Sequence, residues 1–149
     1  MKKLLIFPLV LISCLCFAQD AKEIIGKPVK IGNLLVAEND LNVTINSILW
    51  KQIFSKKDNT TSKGIIGRFR WDETEKACSA LGKGWRIPTK DELNKLYQNK
   101  DKIGSFKKGI YWSSSKFDGS RVWYQSFNNG NQGRKIKTLG YFVRAVKSL

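Results

Sequence analysis

The chain has 149 residues, with 27 Lys and Arg against 12 Asp and Glu for a formal charge of +15, and it contains no histidine. Without histidine there is no Ser-His-Asp or Cys-His catalysis, no histidine-ligated zinc and no ordinary proton shuttle at neutral pH.

At the N-terminus, Lys2 and Lys3 precede an apolar run from Leu4 to Phe17, and Ala18 follows the small Cys16 by two positions. This order of charged, apolar and small residues predicts a cleavable secretory signal over residues 1–18. The run is too short to span a bilayer, which takes about 20 apolar residues, so no transmembrane anchor is expected. A second reading stays open. Leu11-Ile12-Ser13-Cys14 has the pattern of a bacterial lipobox, which would tether the chain through a lipid on Cys14.

Cleavage leaves one domain over residues 19–149, with 25 basic and 12 acidic residues, a charge of +13, and Cys78 as its single cysteine. One cysteine closes no internal disulfide and builds no structural zinc site, so an apolar core must hold the fold. A chain of this size can bury well over half of its unfolded surface, and five tryptophans with six of the full chain's eight phenylalanines supply core material. No metal or other cofactor is expected.

Val29 to Val36, apolar around Gly32-Asn33, reads as a hairpin, and Ile48 to Phe54 as a further strand. Residues 55–67 are polar, charged and glycine-punctuated, and read as a surface loop. Residues 72–82 read as a short helix, with Asp72 as N-cap, Glu75 at its third position and Gly82 at C′. On it Ala77, Cys78 and Leu81 form an inward stripe with Trp71, which makes Cys78 a buried thiol rather than a nucleophile. A second helix starts after Pro88, with Thr89 and Glu92 as a capping box and Leu93, Leu96 and Tyr97 on one face. Asp91 and Glu92 are poor acid/base partners, because adjacent helical residues do not face each other. Gly109–Ser113, Arg121–Phe127 and Tyr141–Val146, aromatic and β-branched, read as strands. Helices between two sets of strands predict an α+β domain.

Trp71, Ala77-Cys78, the string Gly84-Trp85-Arg86-Ile87-Pro88-Thr89-Lys90-Asp91-Glu92-Leu93, Tyr111-Trp112-Ser113-Ser114 and Val143-Arg144-Ala145-Val146 together carry a resemblance. Over Trp71 to Lys147, with Val29 to Leu41 as opening strands, the chain resembles the C-terminal domain of the Legionella collagen-like adhesin and the related Fibrobacter major paralogous domain. The resemblance implies a C-type-lectin-like fold, two helices on a mostly antiparallel twisted sheet whose N- and C-terminal strands lie together, in an exported or surface protein. The family includes a glycan-binding adhesin. This sequence has neither the Glu-Pro-Asn nor the Gln-Pro-Asp motif of calcium lectins, so calcium-dependent sugar binding is not expected. It also lacks the cysteine pair of the distantly related formylglycine-generating enzymes, and no such oxidase activity is expected.

Within that frame, Trp71, Cys78, Trp85, Arg86, Pro88, Glu92, Trp112 and Arg144 are assigned to structure. A guanidinium with five donors can satisfy carboxylates or several backbone carbonyls, and Glu92 or Asp91 is the expected partner of Arg86. The ligand-binding candidates lie in two late loops and the strand between them: Lys116, Asp118, Arg121, Trp123, Tyr124, Asn128, Asn129, Asn131, Gln132, Arg134 and Lys135. Amides and cations suit sugar hydroxyls and anionic groups, and an aromatic face can stack on a sugar ring; the same Asn-Gly-rich segments also read as ordinary solvated turns. The charge favours an anionic partner. Export points to an anionic polysaccharide or cell-surface glycan rather than intracellular nucleic acid. Two functions result: a non-enzymatic exported binding module, or a small structural or assembly component of the cell envelope that docks on a protein partner.

Overall fold

The computed structural model describes residues 21–41 and 67–149. The expected signal, the strand over Ile48–Phe54 and the loop up to residue 66 lie outside those residues.

Residues 21–25 are helical. Strands β1 (Val29–Ile31) and β2 (Leu34–Val36) form the expected hairpin, with Val29 opposite Val36 and Ile31 opposite Leu34. Gly32 takes φ +60°, a value that favours glycine at the first position of a two-residue hairpin turn. Helix α1 (Trp71–Ser79) has its N-cap two residues before the expected one: Arg70, not Asp72, occupies that position. Two contacts fix the start. The Glu73 carboxylate accepts from Arg70 N at 2.9 Å, and the otherwise orphaned Trp71 N–H donates to the distant Lys137 carbonyl at 3.0 Å. Asp72 and Glu75 are then solvent-exposed. At the other end Ala80 is the C-cap, so Leu81 takes C′ and Gly82, with φ +118°, lies one residue beyond it instead of at it as expected.

After β3 (Trp85–Arg86), helix α2 (Lys90–Gln98) is capped as its sequence predicts. Glu92 N donates to Thr89 Oγ1 at 3.3 Å and Thr89 N to Glu92 Oε2 at 2.8 Å. One further turn, α3 (Lys100–Ile103), was not anticipated. Strands β4 (Ile110–Lys116), β5 (Arg121–Ser126) and β6 (Gln132–Ile136) form a meander, and β7 (Val146–Ser148) closes the chain. β4 runs three residues beyond the strand read from the sequence, and β6 occupies part of what reads as a loop.

Tyr141–Val146 is not a continuous strand. It is a seam between sheets: the Phe142 carbonyl accepts from Trp112 N, Val143 from Leu41 N and Ala145 from Ala37 N, so successive residues pair with different neighbours and only Val146 begins a regular ladder. The result is a mixed α+β domain with two antiparallel sheets, ordered β1-β2-β7-β3 and β4-β5-β6, instead of the single sheet expected. The N-terminal hairpin does lie beside the last strand, with Leu35 opposite Lys147.

Strand alternation divides the interior in two. Trp112, Val122, Val143 and Ala145 pack with Ala77 and Cys78 of α1 and with Leu81 just after it, whereas Tyr111, Phe142 and Val146 pack with Leu93 and Leu96 of α2 and Ile103 of α3. Trp71 packs half-buried against the first cluster, as the stripe on α1 requires.

Candidate functional site

The motif residues are absorbed by the fold. Trp85 and Trp112 are buried, and Trp112 Nε1 donates to the Phe69 carbonyl at 2.8 Å. The Pro88 carbonyl accepts from Ser114 N, which ties the entry of α2 to β4. Cys78 is fully buried, and burial, helped by Glu75, pushes its thiol far up, so it stays protonated.

Arg86 makes a bidentate pair with Glu92, Nη1–Oε2 at 2.7 Å and Nη2–Oε1 at 2.8 Å, which holds the Glu92 carboxyl below its ordinary value. The partner is therefore Glu92 rather than Asp91. Arg144 is wholly buried, donates to Asp40 and to the carbonyls of Ala37, Glu38 and Ser105, and lies over the Phe106 ring at 4.0 Å. Tyr111 Oη donates to the other Asp40 oxygen at 2.7 Å. Every strong acceptor and donor of this cluster is spent internally.

The ligand candidates are divided by the pleat of β5 and β6. Trp123 pairs across to Arg134 and Arg121 to Ile136, on one face; Val122 pairs with Lys135 and Tyr124 with Gly133, on the other. Trp123 and Tyr124 therefore do not share a site, and neither do Arg134 and Lys135.

On the Trp123 face the side chains converge. Arg134 lies over the Phe117 ring at 4.3 Å and over Trp123 at 5.5 Å, Lys90 Nζ lies 4.1 Å from the Trp123 centroid, and Phe117 meets Trp123 edge-on at 6.0 Å. Phe117, at 42% exposure, and Arg134 are open to solvent. Among the described residues no carboxylate comes within salt-bridge distance of Arg134 or Lys90. Two cations are thus held against π faces with their N–H groups unspent, an arrangement able to receive an anion.

Arg121, although stacked on Phe117 at 5.0 Å, is already neutralised: its Nε and Nη2 both lie 2.7 Å from Asp118 Oδ2. Asp118 also accepts from Ser120 N and Arg121 N, bonds that hold its carboxyl well below the usual carboxylate range and make it the organiser of the β4–β5 turn. Asn129 Oδ1 accepts from Asn131 N within the β5–β6 turn, whose Asn128, Asn129 and Asn131 side chains are exposed. Gln132 Nε2 donates to the Lys90 carbonyl at 3.0 Å, fastening β6 to the start of α2. That bond places Lys90 at the site. Its sequence context, a helix cap, gave no sign of such a role, whereas Phe117 stood within a segment already singled out.

On the reverse face, Lys116 Nζ and Lys137 Nζ lie 5.6 and 5.2 Å from the Trp71 centroid, while Trp71 Nε1 donates to the Ser113 carbonyl. Tyr124 packs there against the first core cluster and over Gly133, where an added Cβ would meet its hydroxyl at 2.7 Å. No group of three or more metal-ligating side chains and no helix long and apolar enough to cross a membrane occurs among the described residues.

An α+β domain that gathers aromatics and cations, without carboxylate partners among the described residues, on an outer sheet face has the construction of a surface-recognition module. The family profile of the Lcl C-terminal domain matches residues 43–147, and the chain belongs to that family, the C-terminal domains of the Legionella collagen-like adhesin type. It is thereby an adhesin-like binding module. The match begins after β1 and β2, so the hairpin expected to open the family domain precedes the matched region. No curated protein matches the chain.

Proposed function

We propose that this protein is an exported, non-enzymatic module of C-type-lectin-like fold that binds an anionic polysaccharide through Lys90, Phe117, Trp123 and Arg134. The observation that carries the reading is the pair of cations held on Trp123, neither with a carboxylate partner among the described residues. Rings restrict the cations without neutralising them, so less ordering remains to be done on binding. An exposed Phe117 beside them offers an apolar surface for a sugar ring. Catalysis finds no support in a chain without histidine whose only cysteine in the domain is a buried, protonated thiol.

Binding of the protein to dextran sulfate and to neutral dextran, titrated with salt, tests this. Affinity for the sulfated polymer alone, falling steeply with ionic strength, is expected. No binding to it at low salt would defeat the reading. In that case the exposed Ile136, opposite Arg121 on the same face, and the exposed Leu139 favour the alternative of an envelope component docking on a protein partner.

Export rests on the N-terminal pattern and on adhesin-like membership. The mass of the mature chain decides between a soluble form cleaved after Ala18 and a lipid-tethered form beginning at Cys14.

A further inference from the structure

We propose that the Trp123 face also docks on an anionic lipid bilayer, with Phe117 and Ile136 entering the membrane boundary and Arg134 and Lys90 meeting lipid phosphates. The inference goes beyond the polysaccharide reading: it shares the cations of that site but stands on Ile136 and Leu139, which that reading leaves unused.

Strand register puts an apolar row at one end of this face. Phe117 N donates to the Arg121 carbonyl at 3.0 Å, Arg121 pairs across to Ile136, and the Arg121 guanidinium lies over the Phe117 ring at 5.0 Å. Two large apolar side chains thus flank Arg121 in one row, and both are exposed, Ile136 at 47%. Leu139, also exposed, follows in the turn that its N–H closes on the Ile136 carbonyl. Of the four large apolar side chains exposed among the described residues, three therefore fall in this row or in the turn after it. A polysaccharide sulfate takes up cations but gives an aliphatic side chain nothing to bury against. An anionic bilayer takes up both.

The cations stand where such a surface needs them. Arg134 pairs across to Trp123, two residues back along the strands and so about 7 Å from the apolar row, and Lys90 joins it on the Trp123 ring. With the face tilted toward the β4–β5 turn, Phe117 and Ile136 reach the boundary of headgroups and acyl chains, roughly 5–10 Å deep, while the long Arg134 and Lys90 side chains stay with the phosphates. The acid of that turn, Asp118, is compensated by Arg121 and by the N–H groups of Ser120 and Arg121. It leaves little repulsion against lipid phosphate.

The test is sedimentation of the purified mature chain, carrying no lipid, with vesicles of phosphatidylcholine alone or mixed in equal parts with phosphatidylglycerol, with dextran sulfate binding measured in parallel. Binding to the mixed vesicles alone, weakened by salt, is expected. I136S with L139S should lower vesicle affinity at least about threefold while changing dextran sulfate affinity less than about twofold, and R134Q should weaken both. Dextran sulfate binding without vesicle binding at low salt overturns the bilayer proposal and leaves the polysaccharide reading standing. Vesicle binding that I136S with L139S does not weaken overturns it also, since the contact would then be with headgroup charge alone. So does an equal loss on both probes, which would show these side chains acting through the fold. Binding to neither probe overturns both readings and leaves the protein partner.

Discussion

Arg144 Nη2 lies 2.7 Å from Asp40 Oδ1 with both side chains buried, a pair that joins the seam before β7 to the segment after β2. Burial pushes the Asp40 carboxyl up from its ordinary value of 3.8, opposed by Arg144 and Tyr111. Replacing Arg144 with Met leaves Asp40 without its cation and the carbonyls of Ala37, Glu38 and Ser105 short of a donor. The expected cost at neutral pH is about 3–5 kcal/mol, read as a lowered urea midpoint or Tm. Arg144 opposes the rise that burial imposes on Asp40, so its loss raises the folded-state value further; the variant then holds the proton more tightly than the unsubstituted chain, and the deficit should shrink as pH falls toward 3.8 and Asp40 is protonated. A deficit that grows in acid would contradict this account.

Glu92 caps α2 and grips Arg86 at once. Glu92→Gln should cost about 1–2 kcal/mol, the cap and a half-exposed pair together. Its carboxyl is held below the ordinary 4.5, chiefly by the Arg86 hydrogen bonds, so the stabilisation is present above that value and lost as pH falls through the lower folded one. Denaturation midpoints of the two proteins should therefore converge in acid.

Gly130 combines φ +81° with a Tyr97 ring carbon 2.6 Å from where a Cβ would stand, whereas a Cβ at Gly119 meets nothing within 4 Å. Gly130→Ala should destabilise by about 1–3 kcal/mol, while Gly119→Ala should stay within about 0.5 kcal/mol. Thermal melts of the pair compare the β5–β6 turn with the β4–β5 turn.

Arg134 and Arg121 both stack on Phe117, yet among the described residues only Arg121 of the two has a carboxylate partner. Arg134→Gln should weaken dextran sulfate binding about three- to tenfold, roughly 0.7–1.4 kcal/mol, and Arg121→Gln by less than about twofold. Equal losses would show that unpaired charge does not select the contact residues.

Much of the fold follows from local patterns. The Gly32-Asn33 turn, the Thr89–Glu92 box, the buried positions of Ala77, Cys78 and Leu81, and the strands around Trp112 and Val122 depend on neighbours within a few residues, where backbone preference and periodicity act. The start of α1 was misplaced because its deciding partner, Lys137, is remote. β6 was missed because Gln-Gly-Arg-Lys lacks the aromatic and β-branched content of a buried strand; its pairing with β5 compensates.

For the candidate site the division is similar. The sequence determined the inventory: a basic chain without histidine, the family motifs, and late segments rich in cations, amides and aromatics. Tertiary structure decided which of these meet. The pleat separated Trp123 from Tyr124 and Arg134 from Lys135, Asp118 took Arg121 out of play, and Gln132 brought Lys90 across from another element. Composition sets how much charge a surface carries, but strand register and hydrogen bonds between distant residues set which face carries it, and neither is encoded by any short stretch of chain.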